Sequence, residues 1–400
     1  MSPDRGETGR PPVRDRTWQI GLAVGIGAGL AFGLIGRRAE REARRGLIDW
    51  AEVEAIAGRR LRHAPGALGA DELAAAEPAW AAVMDRVVPR IEARLGQPLP
   101  GIVERHAVVG RAGWATANMA TFREILDRVE PALVAPVAAA RPPGAALAAV
   151  ANRVLATQQI GYLLGYLGAR VLGQYDLAIL SAEAAPGRLL FVEENVRHVA
   201  RQLDLPLGEM RTWIALHETT HAFEFEAHPW LRPYLAERLE RLLAAFLDDA
   251  QALRLRGVPE LLRRVMRSEG DAFTSLLGPE QRRLLRETQT VMSLLEGFSD
   301  WVMDEVGGEL LHDVGTMRSR FEARRATPRR GLDGLLARLS GLDLKLEQYR
   351  RGERFVSGVV ALAGDAAMDW LWSGPAALPS EAELADPAAW LRRVGAAVAA

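Results

Sequence analysis

The chain has 400 residues, 49% of them apolar, and a formal net charge of −1. That length suffices for a large buried core in one big domain or two smaller ones, and the balanced charge excludes a general attraction to nucleic acid. The absence of cysteine excludes disulfides, thiolate metal sites and cysteine nucleophiles, and agrees with a cytoplasmic location.

In chain order, residues 1–16 read as a disordered tail. Residues 17–36, TWQIGLAVGIGAGLAFGLIG, carry no charge. As a helix they span roughly 30 Å, the thickness of a bilayer core. Gly21, Gly25, Gly29 and Gly33 then share one smooth face of the kind that lets helices approach closely in lipid. The segment is a candidate membrane anchor; a glycine-rich buried helix or loop is the alternative, opposed by glycine's poor helix propensity in water. The following RRAEREARR is more basic than the preceding flank, which keeps a membrane-anchored main domain on the cytoplasmic side.

From residue 47 onward helical periodicity dominates. Residues 71–95 read as a helix broken near Pro78 and Pro89, and 115–135, 145–173 and 231–256 as further helices. Pro142-Pro143-Gly144 marks a loop. Tyr175–Leu180 and Leu189–Val192 read as a hairpin. The expected fold is mainly α, with a small β-hairpin or sheet beside the helix described next. A helical lobe over 47–174 and a catalytic lobe over 175–400 complete the outline.

Residues 212–230, TWIALHETTHAFEFEAHPW, contain an HExxH pattern. Asp204 or a neighbour is expected to cap this helix and Pro229 to stop it. His217 and His221 lie one turn apart on one face and can share a zinc ion. Glu218, one step round, reaches an activated water without being a ligand. Taken alone, the motif also fits a core helix with two satisfied histidines. A catalytic ion needs a third ligand. The extended motif requires glycine at position 224 and histidine at 227, and the chain has Glu224 and Ala227. His228 is out of phase and reads as a surface or helix-end histidine. The other source is VMSLLEGFSDWVMD (291–304), an apolar helical run with a glutamate in its middle. Burying that charge is expensive unless it is paired or metal-bound. Glu296 is the expected third ligand, and Asp300, four residues on, the acceptor for a ligand histidine's N–H. By themselves the two acids would suit an exposed pair; beside HExxH they suit a metal. Gly297 is expected to let two helices pack closely.

HETTH followed by EGFSD resembles the gluzincin zinc peptidases, whose pattern is HExxH with a downstream ExxxD. Over most of residues 47–395, a wider resemblance rests on LGQYD (172–176), LLFVEENV (189–196), the segment 213–231, LLEGFSDWVMD (294–304), KLEQYRRGERF (345–355) and DPAAWLRRV (386–394). These resemble an actinobacterial-type family of zincin-like hydrolases that carries a deazaflavin-coenzyme-biosynthesis label; no biosynthetic role is read from the residues. The resemblance implies a zincin-like fold, one zinc ion at His217, His221 and Glu296, and Glu218 as catalyst. The N-terminal glycine-rich segment departs from that family.

The expected function is a zinc-dependent hydrolase, a metallopeptidase acting on a peptide or protein, with zinc-activated water and Glu218 as general base. Tyr349 is the expected oxyanion donor, ahead of Lys345 (the only lysine) and His312. The LLFV strand is expected to offer an edge to an extended substrate. A zinc amidohydrolase on a small substrate, and a catalytically silent metal-stabilised binding protein at the membrane, are the alternatives. No G-x-S-x-G elbow or P-loop competes with the metal reading.

Overall fold

The computed structural model describes residues 46–140, 145–176, 187–256, 278–326 and 345–398. The elements run α1 (Trp50–Arg62), α2 (Ala70–Ala74), α3 (Glu77–Leu95), β1 (His106–Val109), α4 (Arg111–Ala140), α5 (Ala145–Gly168), β2 (Gly173–Asp176) and β3 (Arg188–Val192). They continue with α6 (Glu193–Gln202), α7 (Leu207–Glu226), α8 (Leu231–Arg256), α9 (Pro279–Leu310), α10 (Val314–Ala326), α11 (Lys345–Ala363), α12 (Ala367–Leu371) and α13 (Pro387–Val398). The fold is mainly helical with one three-stranded sheet among the described residues. Described residues of 50–133 and 158–398 belong to one compact unit, which holds the sheet and the candidate site. The charge-free segment 17–36 lies outside the described residues.

The sheet order is β1-β3-β2. β3 pairs antiparallel with β2, with Tyr175 opposite Leu189, as the hairpin expectation requires; residues 177–186 are outside the described residues. β3 also pairs parallel with β1, with Val108 opposite Phe191. The LLFV strand is therefore central and has no free edge for a substrate, which corrects that expectation. Among the described residues the strands with an unpaired side are β1 and β2. The sequence did not announce β1, because four residues of intermediate burial carry little periodicity.

Pro89 does not break its helix: α3 runs on to Leu95 and ends at Gly96, whose φ of 71° suits glycine. A mid-helix proline loses one hydrogen bond. Here Trp80, Val83, Met84, Val87, Val88 and Ile91 hold α3 in the core at helical spacing, and packing outweighs that loss. Trp80 stacks on Phe191 of β3, with ring centroids 3.9 Å apart.

α7 is buried on nearly all sides, from Met210 to Glu224, and packs on α3, α9 and the sheet. Asp204 does not cap it. Asp204 sits in the preceding turn with φ 51°, and the helix begins after Pro206 without a side-chain cap. α9 is crossed by α11 at two glycines. A Cβ on Gly297 would lie 2.1 Å from the Gly352 carbonyl carbon, and one on Gly352 would lie 1.8 Å from the Ser293 oxygen. The close packing expected of Gly297 is thus observed, and it fixes the helix that carries Glu296.

Candidate metal centre

α7 and α9 bring three acceptors to one point. His217 Nε2 and His221 Nε2 are 3.2 Å apart. Glu296 Oε2 lies 3.6 Å from the first and 3.9 Å from the second. Donors at about 2.0–2.1 Å from a tetrahedral ion are roughly 3.3 Å from one another, so this spacing fits zinc.

The surrounding hydrogen bonds explain why the two rings face each other. His221 Nδ1 is 2.8 Å from the buried Glu224 carboxylate, which can only accept from the ring in its ionised form. His217 Nδ1 is 3.0 Å from Ser299 Oγ, and that hydroxyl is 3.4 Å from the His217 carbonyl oxygen. Donating to the carbonyl, Ser299 accepts the ring N–H. Both Nε2 atoms then turn lone pairs inward, toward each other and toward a carboxylate. Three acceptors with no donor between them suit a cation.

Burial pushes the His221 imidazole down, but the carboxylates of Glu224, Glu296 and Glu218 more than reverse this and hold it up at about 10. In the absence of metal, a proton on this ring takes the place of the ion's charge. Burial raises Glu218 to about 7, against the opposing effect of His221; the Glu296 charge adds to the rise. Glu218 Oε2 accepts a single described hydrogen bond, 3.0 Å long, from the Tyr175 N–H of β2. Strand and base are close enough that a Cβ on Gly173 would lie 2.6 Å from Glu218 Cγ. Gly173 is required there by contact.

A cavity of about 350 Å³ opens beside His217 and Glu218, walled by Gly173, Trp213, Asp300 and Arg318 among others. Asp300, expected to hold a ligand histidine, lines this cavity. Burial pulls the Arg318 guanidinium down, and the charge of Asp300 is the largest opposing influence that holds it up. Arg318 also donates to Asp304 at 2.6 Å and Glu353 at 2.8 Å.

The sequence reading did not single out Glu224 or Ser299. Glu224 occupies the position where the extended motif has glycine; an acid three residues after His221, on the same helix face, was the available signal, and the structure buries it fully. Ser299 sits in the apolar run of α9 and is also fully buried. The Tyr349 side chain and that of Lys345 lie outside the described residues, although α11 includes both positions. His312 is exposed in the turn after α9 and does not line the cavity. His228 stands at the helix end as expected, but it is buried and is not one of the three acceptors. It is 7% exposed, stacks on Trp372 at 4.6 Å and bonds the Glu224 carbonyl oxygen through Nδ1 at 2.9 Å. It closes the end of α7.

A family model described as zincin-like metallopeptidase matches residues 48–391. The chain belongs to the zincin-like metallopeptidases. This zincin-like protein is also similar to a candidate hydrolase with a novel fold from Chloroflexus aurantiacus, known from its crystal structure. The two are 35% identical and superpose with a TM-score of 0.62, over 87% of this chain and 99% of the other. No curated protein matches this zincin-like chain. Its class is that of metal-dependent hydrolases, and among the described residues His217, His221 and Glu296 form a group that could hold a metal ion.

Proposed function

We propose that this zincin-like protein is a zinc-dependent peptidase in which His217, His221 and Glu296 hold one zinc ion and Glu218 is the general base. The observation that carries the reading is the inward-facing trio of acceptors, with its two imidazoles tied from behind by Ser299 and Glu224. Two imidazoles and a carboxylate suit zinc over harder ions.

When bound, zinc supplies Lewis acidity, polarising the scissile carbonyl and acidifying water. The remaining work belongs to the chain. Glu218 takes a proton from the attacking water and returns it to the leaving nitrogen as the C–N bond breaks. The Tyr175 N–H holds one carboxylate oxygen of Glu218 and sets its direction. Gly173 lets β2 close over the base, and the resulting burial keeps its proton affinity near neutrality.

The cavity favours one second reading. Its volume of about 350 Å³ is at the low end of small-molecule pockets. That supports a short peptide or a small amide as substrate ahead of a folded protein. Zinc content and amide-bond cleavage, measured on wild type and Glu218→Gln, test the proposal. Zinc bound by both with cleavage only in wild type supports catalysis. Zinc bound without any turnover that depends on Glu218 leaves a metal-stabilised binding protein.

A further inference from the structure

Tyr175 of β2 touches α7 twice. Its N–H donates to Glu218 Oε2 at 3.0 Å, and its hydroxyl donates to Glu226 Oε1 at 2.8 Å, roughly two turns further along the helix. The backbone contact follows from the sheet. Val192 N–H donates to the Leu172 carbonyl oxygen at 2.9 Å, and in an antiparallel pair only alternate residues turn their polar groups to the partner strand. Tyr175 is out of step with Leu172, so its N–H turns away from β3 and toward α7.

The side-chain contact is braced on both sides. Gly187 N–H donates to the Tyr175 hydroxyl at 3.1 Å. A Cβ on Gly187 would lie 2.4 Å from Tyr175 Cζ, so glycine is required for the ring to lie there. Burial pushes the hydroxyl above its ordinary range and the Glu226 charge adds to the rise, which keeps the proton available for donation. Behind Glu226, Arg105 donates to both carboxylate oxygens at 2.7 Å. The same guanidinium donates to the carbonyl oxygens of Gly101 at 3.1 Å, Pro100 at 3.2 Å and Gly187.

Helix stability does not account for this arrangement. Glu226 is the last residue of α7, where a carboxylate opposes the helix dipole, and the last turn has no basic residue of its own. Arg105 supplies the opposite charge from outside the helix, and its two-pronged pairing fixes where the carboxylate stands.

We propose that Arg105, Glu226 and the Tyr175 hydroxyl form a clamp that positions Glu218. The clamp fixes β2 against α7, and β2 presents the N–H that holds the Glu218 carboxylate. This rests on the reading of Glu218 as general base. Without the clamp, β2 keeps its pairing with β3 and loses its side-chain tie to α7, so the carboxylate turns out of line with the attacking water.

The zinc-loaded full chain with isotope-labelled tyrosine amides tests this by magnetic resonance. It has five tyrosines, and the amide signal lost in Tyr175→Phe is that of residue 175. Glu218→Gln replaces the charged acceptor and moves this signal upfield. The clamp predicts an upfield movement in Glu226→Ala as well, and a smaller one in Glu226→Gln, which keeps an oxygen to accept from the hydroxyl. On an amide substrate, Tyr175→Phe and Glu226→Ala lower kcat about tenfold or more and change KM by less than about twofold, at unchanged zinc content, and Glu226→Gln recovers part of the loss. An unmoved Tyr175 amide in Glu226→Ala overturns the proposal, as does a kcat loss that only follows the unfolded fraction seen by circular dichroism. Wild type that binds zinc without Glu218-dependent turnover fails the parent reading and the clamp with it. Wild type with such turnover, matched by Tyr175→Phe, fails the clamp alone.

Discussion

Two buried glutamates on neighbouring helices have opposite surroundings. Glu193, at the start of α6, is fully buried and saturated with donors. Trp80 Nε1 donates to it at 2.7 Å, Arg197 Nε at 2.7 Å, and Arg211 through Nη2. Glu218, on α7, is 8% exposed and accepts one described hydrogen bond. The first carboxylate is paired in place by arginines and ties α6, α3 and α7 together. The second is left short of donors, beside a cavity and three metal-type acceptors. A buried acid becomes a proton carrier when its surroundings leave the proton work undone; where they finish it, the same residue type is scaffolding.

The comparison is most exposed to Glu218→Gln. Turnover falls by about 10²–10⁴-fold, as for loss of a general base, while zinc content and melting temperature hold. Turnover surviving in this variant would move the base to another residue. Glu193→Ala is expected to do the reverse. Removing one partner of a buried ion pair costs about 3–5 kcal/mol, so urea denaturation shows a large loss of stability. The folded fraction keeps its zinc stoichiometry. If Glu193→Ala instead loses zinc and keeps its stability, the two glutamates are not divided as described.

Glu224 stands between them. It is fully buried, one oxygen holds His221, and the other has no hydrogen-bond partner among the described residues. Glu224→Gln is expected to weaken zinc binding about 10–100-fold, the usual cost of losing a residue that orients a ligand. Competition with a chromophoric chelator measures this. The smallest effect is in proton release. His221 is held above its ordinary 6.5, at about 10, so its contribution to apoprotein stability is complete below 6.5 and is lost as pH rises through 10. Glu218 is raised from 4.5 to about 7, so between those values the native state binds more protons than the unfolded one, and apoprotein stability falls as pH rises. Both signs agree: the metal-free protein melts at lower temperature as pH climbs from 5 to 9. Zinc requires a free imidazole nitrogen, so loading at pH 7 releases protons. Calorimetry in buffers of different ionisation enthalpy detects that release.

Much of the candidate site was legible in the sequence because its parts are local. His217, Glu218 and His221 fall on one helical turn. Glu296 is conspicuous as a charge inside an apolar period, and Gly297 beside it marked the helix crossing. What was not legible depends on contacts between distant segments. Nothing near Gly173 says that Glu218 will press against it, and nothing in LLFV says that a parallel strand from residue 106 will cover its other edge. Pro89 misled because the loss of one hydrogen bond is visible in a sequence and the burial of Trp80 to Ile91 is not. The helix-end position of His228 was legible from the proline beside it, but its burial was not, because its stacking partner, Trp372, is far along the chain.

The central claim is tested most directly by titrating zinc into the metal-free full chain and into Glu296→Ala, with the folded state of each verified. The account predicts one tightly bound zinc per wild-type chain and severe loss of affinity in Glu296→Ala. A wild type that binds no zinc, or a folded Glu296→Ala that binds it equally well, contradicts the account.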